Sequence, residues 1–284
     1  SVNLAYSKGE SNKKRREKMK ITKFTILFML VSVFLVGSLQ SQVKTKTTSY
    51  WKKPPAFLIE WNFSYSQPLP NMSGEMGEQF KFKNYGVKSG FGSQIYFKLI
   101  TDKKGKLRPY MTLGYDLFLN SDNSAAYIPA NILNQWPQDS SVAYSVAGKS
   151  KMYLHNFTAA VGFEYAFFNK TKWTPYTNFD FGLNMIFGTY KQTPASTGVE
   201  VSYTYKNAPR LGLGLGAGVN GRLTKNFGVT FGVKYKLPNL LLKDSKSSTE
   251  VNKMYINDKE DIALSQNLSK DRNMMYLQIY VGAT

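Results

Sequence analysis

Residues 57–65 read FLIEWNFSY, a segment in which large apolar side chains alternate with smaller or polar ones. Every odd-numbered residue in it is aromatic or aliphatic, whereas the even-numbered ones include Glu60, Asn62 and Ser64. A period of two is typical of a β-strand with two different faces. The same alternation predicts seven further strands, at 85–99, 110–120, 152–167, 175–190, 210–223, 227–237 and 273–283.

Charged residues occur on only one of the two faces of these eight segments. Their odd-numbered positions contain no Lys, Arg, Asp or Glu. A soluble sandwich would show the same alternation, because it buries one apolar face and turns the charged face to water. If the chain instead forms a barrel in lipid, the charged face lines the lumen. The predicted lumen charge network is Glu60, Lys88, Lys98, Asp116, Glu164, Asp180, Arg210, Arg222, Lys234 and Lys236.

The lengths of the strands and of their connections favour the barrel. Most segments run 11 to 16 residues, whereas strands of soluble proteins are typically about five or six residues long. With a tilt near 40°, roughly 12 residues rise about 30 Å, the thickness of a bilayer core. The sequence therefore predicts an all-β fold, an eight-stranded antiparallel up-and-down transmembrane β-barrel. Long connections at 66–84, 121–151, 191–209 and 238–272 alternate with short ones at 100–109, 168–174 and 224–226.

Aromatic residues fall near both expected rims of the outer face, where membrane barrels carry interfacial girdles. The long connections define the loop side of the barrel and the short ones the turn side. The predicted girdle residues are Tyr65, Tyr85, Tyr153, Phe187 and Tyr235 on the loop side, and Phe57, Phe97, Phe167 and Phe227 on the turn side.

The first 55 residues do not share the alternation. Residues 19–41 contain a basic start, an apolar run from Phe24 to Val36 and a polar end, the pattern of a secretory signal peptide. The run is shorter than the roughly 20 residues that a helical anchor needs. We therefore expect 1–18 to be an upstream extension, 19–41 a signal peptide, 42–55 a periplasmic tail and 56–284 the barrel.

Composition argues against several chemistries. The chain has no Cys and one His, which excludes disulfides, Cys nucleophiles and zinc sites with two His ligands. The net charge of +19 lies largely on the first 56 residues and the short connections, and no loop combines a basic patch with stacking aromatics, so we expect no nucleic-acid partner. Loop acids at Glu75, Glu78, Asp258, Glu260 and Asp261 do not match an EF-hand, and we expect them to be solvated, with calcium binding as a hypothesis.

Three segments carry a resemblance to a known group. The Pro-Tyr strand starts in 108–115 and 174–182, together with the glycine-rich closing hairpin 211–235, resemble the small eight-stranded outer-membrane barrels of the opacity, OmpA-transmembrane and OmpW-like group. The resemblance implies a Gram-negative outer membrane, extracellular loops, periplasmic termini, a monomeric barrel, and contacts with outer-membrane lipids and lipopolysaccharide. It also leaves room for extracellular or envelope protein partners.

Two motifs receive structural interpretations. Outer-membrane lipid A deacylases resemble this fold and place a Ser and His pair on the lipid-facing side, but His155 has no Ser two residues away on its face, so we expect an interfacial side chain. Gly216, Gly218 and Gly221 match GxGxxG, yet no helix follows, and we expect inward glycines that leave room in the lumen. We expect no catalytic residue, no cofactor and no metal site.

The expected function is non-catalytic presentation of loops for adhesion, surface interaction or envelope support. A narrow pore or hydrophobic-ligand conduit, a component of a protein secretion or assembly system, and a lipid-modifying enzyme are the alternatives. Strand positions further place Glu60 near Lys98, Asp180 near Arg222, and Asp116 across the lumen from Lys234. Such pairs would close the lumen, because unpaired charges in so narrow a space are costly.

Overall fold

A computed structural model describes residues 56–80, 83–102, 104–129, 143–168, 171–224, 226–246, 250, 252–259 and 271–284. The upstream extension, the signal peptide and the periplasmic tail predicted for residues 1–55 lie outside the described residues. Within the described part of the chain, no helix is long and apolar enough to cross a membrane.

Strands dominate the described residues, and one short helix interrupts them. The strands are β1 (Phe57–Pro68), β2 (Ser89–Leu99), β3 (Leu107–Asp122), β4 (Ala125–Pro129), β5 (Ala143–Ala166), β6 (Trp173–Pro194), β7 (Val201–Arg222), β8 (Gly228–Leu241), β9 (Lys253–Met254) and β10 (Tyr276–Ala283), and the helix is α1 (Met76–Phe80).

Eight of these strands form a closed ring, in the order β1, β2, β3, β5, β6, β7, β8 and β10. Each pairs antiparallel with its neighbours, and β10 returns to β1, from Trp61 opposite Ala283 to Pro68 opposite Tyr276. The short strands β4 and β9 lie outside the ring, on β5 and β7 respectively. The predicted eight-stranded antiparallel up-and-down barrel is therefore confirmed.

Apolar side chains cover the outside of this ring and polar ones fill the inside. Trp61 is 51% exposed and Ile279 is 57% exposed, whereas the inward Glu60 and Asp116 are buried. This distribution is the reverse of a soluble protein, and it is what a hydrocarbon environment around the barrel requires. Among the predicted girdle residues, Tyr65, Phe57, Phe97, Phe167 and Phe227 are exposed and Tyr153, Phe187 and Tyr235 are partly exposed.

Tyr85 is the exception among the predicted girdle residues. We predicted a strand from residue 85, but β2 begins at Ser89, and Tyr85 lies in the preceding loop with 1% of its surface exposed. The prediction that residues 85–88 belong to a strand, made from their alternation, was therefore wrong. Tyr85 and Val87 belong instead to the buried apolar cluster at the loop end of the barrel.

The barrel wall is much taller on one side. β5, β6 and β7 have 24, 22 and 22 residues, whereas β1, β2 and β10 have 12, 11 and 8. The connection predicted at 191–209 is wrong, because β6 continues to Pro194 and only 195–200 link it to β7. We call the part of the wall formed by residues 143–151, 188–194 and 201–205, together with β4, the protruding sheet.

Glycines on β7 make room for the large inward side chains of β6. A Cβ at Gly214 would come within 2.5 Å of the Asp180 carboxylate, and one at Gly218 within 2.5 Å of the Tyr176 hydroxyl. Both glycines are paired across the strands with those residues. The glycine run that resembles a phosphate-binding motif is therefore a space-making feature of the lumen.

Candidate functional site

The lumen contains a buried ion cluster at its turn end. The Lys98 ammonium lies 2.6 Å from the carboxylates of both Glu60 and Glu164, and the Arg108 guanidinium lies 2.7 Å from Glu164. These four side chains come from β2, β1, β5 and β3. Because two acids and two bases alternate in this buried site, each charge has an opposite neighbour, which offsets its desolvation.

Arg108 was missed as a lumen residue, since the sequence placed it in the connection 100–109. In the structure β3 begins at Leu107, so Arg108 is the second residue of the strand and faces inward. Its number is even, like those of the inward-facing residues of 110–120. Extending the alternation across Pro109 would have found it.

A second ion pair lies in the middle of the lumen. Lys234 on β8 contacts the Asp180 carboxylate on β6, and the Tyr110 hydroxyl donates a hydrogen bond of 2.8 Å to the same carboxylate. The Lys234 ammonium also lies 5.3 Å from the centre of the Tyr96 ring. Aromatic rings around the ammonium thus add cation–π attraction to the ion pair.

A third group surrounds Asp116 in the loop half of the lumen. Its carboxylate accepts hydrogen bonds from Lys236 at 3.2 Å, from the Tyr276 hydroxyl at 2.7 Å and from the Gln278 amide at 2.6 Å. Asp116 is fully buried. Strands β3, β8 and β10 are therefore joined across the interior by one carboxylate.

The structure brings several of the predicted lumen charges together, with partly different partners from those predicted. Asp180 pairs with Lys234 rather than Arg222, and Asp116 pairs with Lys236 rather than facing Lys234. Counting residues along each strand ignores the stagger between strands in a tilted barrel, so the predicted heights were wrong. Arg222 lies partly buried at the turn end. Lys88 precedes β2 and is exposed, so its placement in the lumen was wrong.

Arg210 on β7 anchors the long loop between β8 and β10. Its guanidinium makes hydrogen bonds of 2.8 and 3.1 Å to Asp258, one of 2.5 Å to Asp244, and one of 3.2 Å to the Ile256 carbonyl. Asp258 is fully buried. We expected Asp258 to be a solvated loop charge, and this was wrong: it is the buried counter-ion of a barrel arginine.

A second set of hydrogen bonds connects the loop between β8 and β10 to the loop between β1 and β2. Asn239 on β8 donates to the Tyr85 hydroxyl at 2.9 Å and to Asp258 at 3.0 Å. Arg272 donates to the Asn84 carbonyl at 2.6 Å, and its guanidinium stacks 4.5 Å above the Tyr85 ring. Burial raises the pKa of the Tyr85 phenol, which therefore stays a neutral partner. We call Tyr85, Arg210, Asn239, Asp244, Asp258 and Arg272 the loop clamp.

An apolar layer closes the lumen beneath the loop clamp. Loop side chains pack down onto side chains from the barrel wall, and no member of this layer is more than slightly exposed. Burial of this apolar surface stabilises the closed arrangement. The loops contribute Met72, Met76, Tyr85, Val87, Ile256 and Met274, and the strands contribute Phe118, Met152, Leu154, Ile186, Tyr190, Tyr203, Tyr205, Ala208 and Tyr276.

The other loop acids that the structure describes show no metal-binding arrangement. Glu78 accepts a hydrogen bond of 2.5 Å from Asn84, and Glu260 and Asp261 lie outside the described residues. Among the residues that the structure describes, no group of three or more His, Asp or Glu side chains could hold a metal ion. The calcium hypothesis gains no support from the described loops.

His155 lies on the outer face of β5 near the loop end. Its Nδ1 is 2.6 Å from the Tyr115 hydroxyl, and its ring stacks on Phe187 with 4.9 Å between the ring centres. Three aromatic side chains from β3, β5 and β6 thus form one outward cluster. Such a cluster has the amphipathic character of side chains at a membrane interface.

Ring closure, outward apolar residues and a charged interior define the class of protein: the fold is that of the small eight-stranded outer-membrane β-barrels. The structure is similar to Neisserial surface protein A, with 14% identity, a TM-score of 0.38, and coverage of 81% of this chain and 96% of that one.

Two further similar structures belong to the same class. One is Ail, the attachment invasion locus protein of Yersinia pestis, with 10% identity, a TM-score of 0.36, and 80% of this chain and 95% of that one covered. The other is the N-terminal β-barrel domain of Pseudomonas aeruginosa OprF, with 11% identity, a TM-score of 0.32, and 81% and 98% covered. No protein-family model matches the chain, and no curated protein matches it.

Glu164 holds two lumen cations, so we expect Glu164→Gln to lower the free energy of unfolding by about 3 to 5 kcal/mol. Urea titration of the barrel in lipid vesicles, followed by Trp fluorescence, measures this change. The matched control is Glu200→Gln, which removes an exposed pair with Lys191 and should cost less than about 1 kcal/mol. Equal destabilisation by the two variants would contradict a stabilising lumen cluster.

The loop clamp makes a separate prediction. Asp258→Asn leaves the buried Arg210 with one carboxylate fewer, so residues 242–246 and 252–259 should detach and be cut by trypsin at least severalfold faster, while the folded barrel band on unboiled gels persists. Asp271→Asn is the control, because Asp271 is exposed and lies 3.4 Å from Lys243. Identical cleavage rates for wild type and Asp258→Asn would show that Asp258 does not hold the loop.

Proposed function

We propose that this chain is a non-catalytic, non-conducting barrel of a Gram-negative outer membrane that presents an ordered loop surface for adhesion, surface interaction or envelope support. The long loops face the cell exterior and the termini face the periplasm. The observation that carries the proposal is the filled lumen, because a barrel whose interior is occupied by its own side chains leaves its exposed loops as the available surface.

Three groups of polar side chains cross the lumen at successive levels. The cluster around Glu164, the Asp180 and Lys234 pair, and the Asp116 group each join strands across the interior. An eight-stranded barrel is just wide enough for side chains to fill. The apolar layer then covers the loop end. These features argue against a steady pore and against a conduit through the whole barrel.

The loop surface has the order that a binding surface needs. The loop clamp fixes parts of the first and fourth long loops to the barrel wall, and the protruding sheet extends regular strands beyond the shorter side. A surface already held in one conformation loses less conformational entropy when it binds. Binding of a macromolecular partner therefore fits the described loops better than transport.

The sealed lumen predicts little steady conductance for the wild type in planar bilayers. Asp116→Ala removes the carboxylate that joins Lys236, Tyr276 and Gln278, so this variant should open more often. Asp271→Ala, in an exposed loop position, is the control and should conduct like wild type. Robust single-channel conductance in the wild type, unchanged in Asp116→Ala, would reject the closed lumen and favour the pore alternative.

A second experiment tests the proposed orientation of the barrel in the membrane. The chain has no Cys, so single cysteines report unambiguously. Asn123→Cys and Ser196→Cys, on the loop side, should react with an impermeant maleimide on intact cells, whereas Lys104→Cys, on the turn side, should react only after the outer membrane is breached. Labelling of Lys104→Cys in intact cells would mean that the long loops face the periplasm.

A further inference from the structure

The barrel wall has a gap at the turn end of the seam between β1 and β10. β10 pairs with β1 from Tyr276 to Ala283, and Ala283 lies opposite Trp61. β1 begins at Phe57, so residues 57–60 extend beyond this pairing and, within the described chain, have a strand partner only on the β2 side. A strand edge of this kind presents backbone N–H and C=O groups with which an added chain can pair.

A cavity of about 420 Å³ lies in this gap. On one side it is lined by Phe57, Leu58 and Ile59 of β1, and on the other by the turn between β7 and β8 and by the start of β8. Thr284 lies at its loop-side end, where the Thr284 backbone pairs with Gly228 through hydrogen bonds of 2.8 and 3.0 Å. The volume is within the range of ligand-binding sites. We call this space the seam cavity.

Two arginines from other strands line the seam cavity. Arg108 comes from β3, and its bond to Glu164 fixes its orientation beside the cavity. Arg222 is the last residue of β7 and pairs with Gly228, so it lies on the level of Thr284, at the inner end of the cavity. Guanidinium groups bind carboxylates through paired, charge-assisted hydrogen bonds. The inner end of the seam cavity therefore favours an anion.

A buried hydroxyl group in the wall of the seam cavity also points to a ligand. Thr174 on β6 is 2% exposed, and its Oγ1 has no hydrogen-bond partner among the residues that the structure describes. A buried polar atom without a partner is costly, so a ligand that hydrogen-bonds to it would be stabilised. Asn220, which pairs with Thr174 across the strands, lines the same wall. The cavity thus combines a polar inner end with apolar side chains from Phe57, Ile59 and Phe227.

The charges of the seam cavity select which end of an added chain would enter it. β1 runs from Phe57 at the turn end towards Trp61. A chain that paired antiparallel with residues 57–60 would bring its N-terminal ammonium group towards Arg222, where like charges repel. A chain that paired parallel with them would bring its C-terminal carboxylate to the same place. The arginines therefore favour the C-terminus and the parallel direction.

We propose that the seam cavity binds the C-terminal end of an extended peptide chain, which adds to the edge of β1 in the parallel direction. The carboxylate of this chain binds Arg108, Arg222 and the Thr174 hydroxyl, and its apolar side chains pack on Phe57 and Phe227. The partner is therefore a protein whose C-terminal segment is extended, apolar and unblocked. The site lies at the opposite end of the barrel from the long loops, so it goes beyond the function proposed for the loop surface.

Fluorescence anisotropy of a short peptide, titrated with the detergent-solubilised protein, tests the site. The peptide alternates valine and threonine, carries a dye at its N-terminus and ends in a free carboxylate. Wild type should bind it saturably, Arg222→Gln at least about tenfold more weakly, and Thr174→Val at least about threefold more weakly. The control is Lys104→Gln, which removes the same charge from an exposed turn position and should bind within about twofold of wild type. Equal binding by wild type and Arg222→Gln, or no binding by wild type, would overturn the proposal.

Peptide comparisons on the wild type make the test independent of any folding defect in the variants. The same peptide with a C-terminal amide should bind at least about tenfold more weakly, because the amide lacks the negative charge. Alternate residues of an added strand face β1, so N-methylation of one alternate set should abolish binding and N-methylation of the other should change it little. Equal binding of the acid and the amide, equal binding of the two N-methylated peptides, or competition by octanoate as strong as by the unlabelled peptide would each overturn the peptide site.

Discussion

The structure depends on the pairing of charges inside a narrow, water-poor lumen. Apolar residues cover the lipid-facing side of the wall, so the polar residues of each strand point inward, where an unpaired charge is costly. Glu164 is an example, because it forms ion pairs with Lys98 and Arg108 from two other strands. Arg108 and Glu164 lie on the neighbouring strands β3 and β5, whereas Lys98 and Glu164 join β2 and β5, which are not neighbours. Such pairs stabilise one particular closed ring.

The need to pair buried charges also explains why the lumen is closed and the loops are ordered. Ion pairs cross the lumen in its turn half and in its middle, and the apolar layer closes the loop end. Arg210 reaches from the wall into the long loop and requires Asp258 as a counter-ion. Loop order is therefore a consequence of charge pairing, and this order makes the loop surface suitable for binding.

The strands of the barrel wall differ in height, and this makes one side of the molecule different from the other. β5, β6 and β7 continue as paired strands after β1 and β2 have ended. A bulge between Ile186 and Gly188 shifts the pairing with β7, so Tyr203 and Tyr205 turn inward there. The outer face of the extension carries Lys149 and Lys151 close to the aromatic belt. One side of the molecule thus has a raised edge with exposed lysines on its outer face.

Alternation in segments such as 57–65 determined the barrel class and the two faces, because a strand's side chains alternate whatever the strand pairs with. Glu60 and Lys98, on adjacent strands, were also placed together from the sequence. Only the tertiary structure decided that Asp180 meets Lys234 and that Asp258 is buried. Strand stagger sets which levels meet across the lumen, and loop residues have no period from which a distant partner could be read.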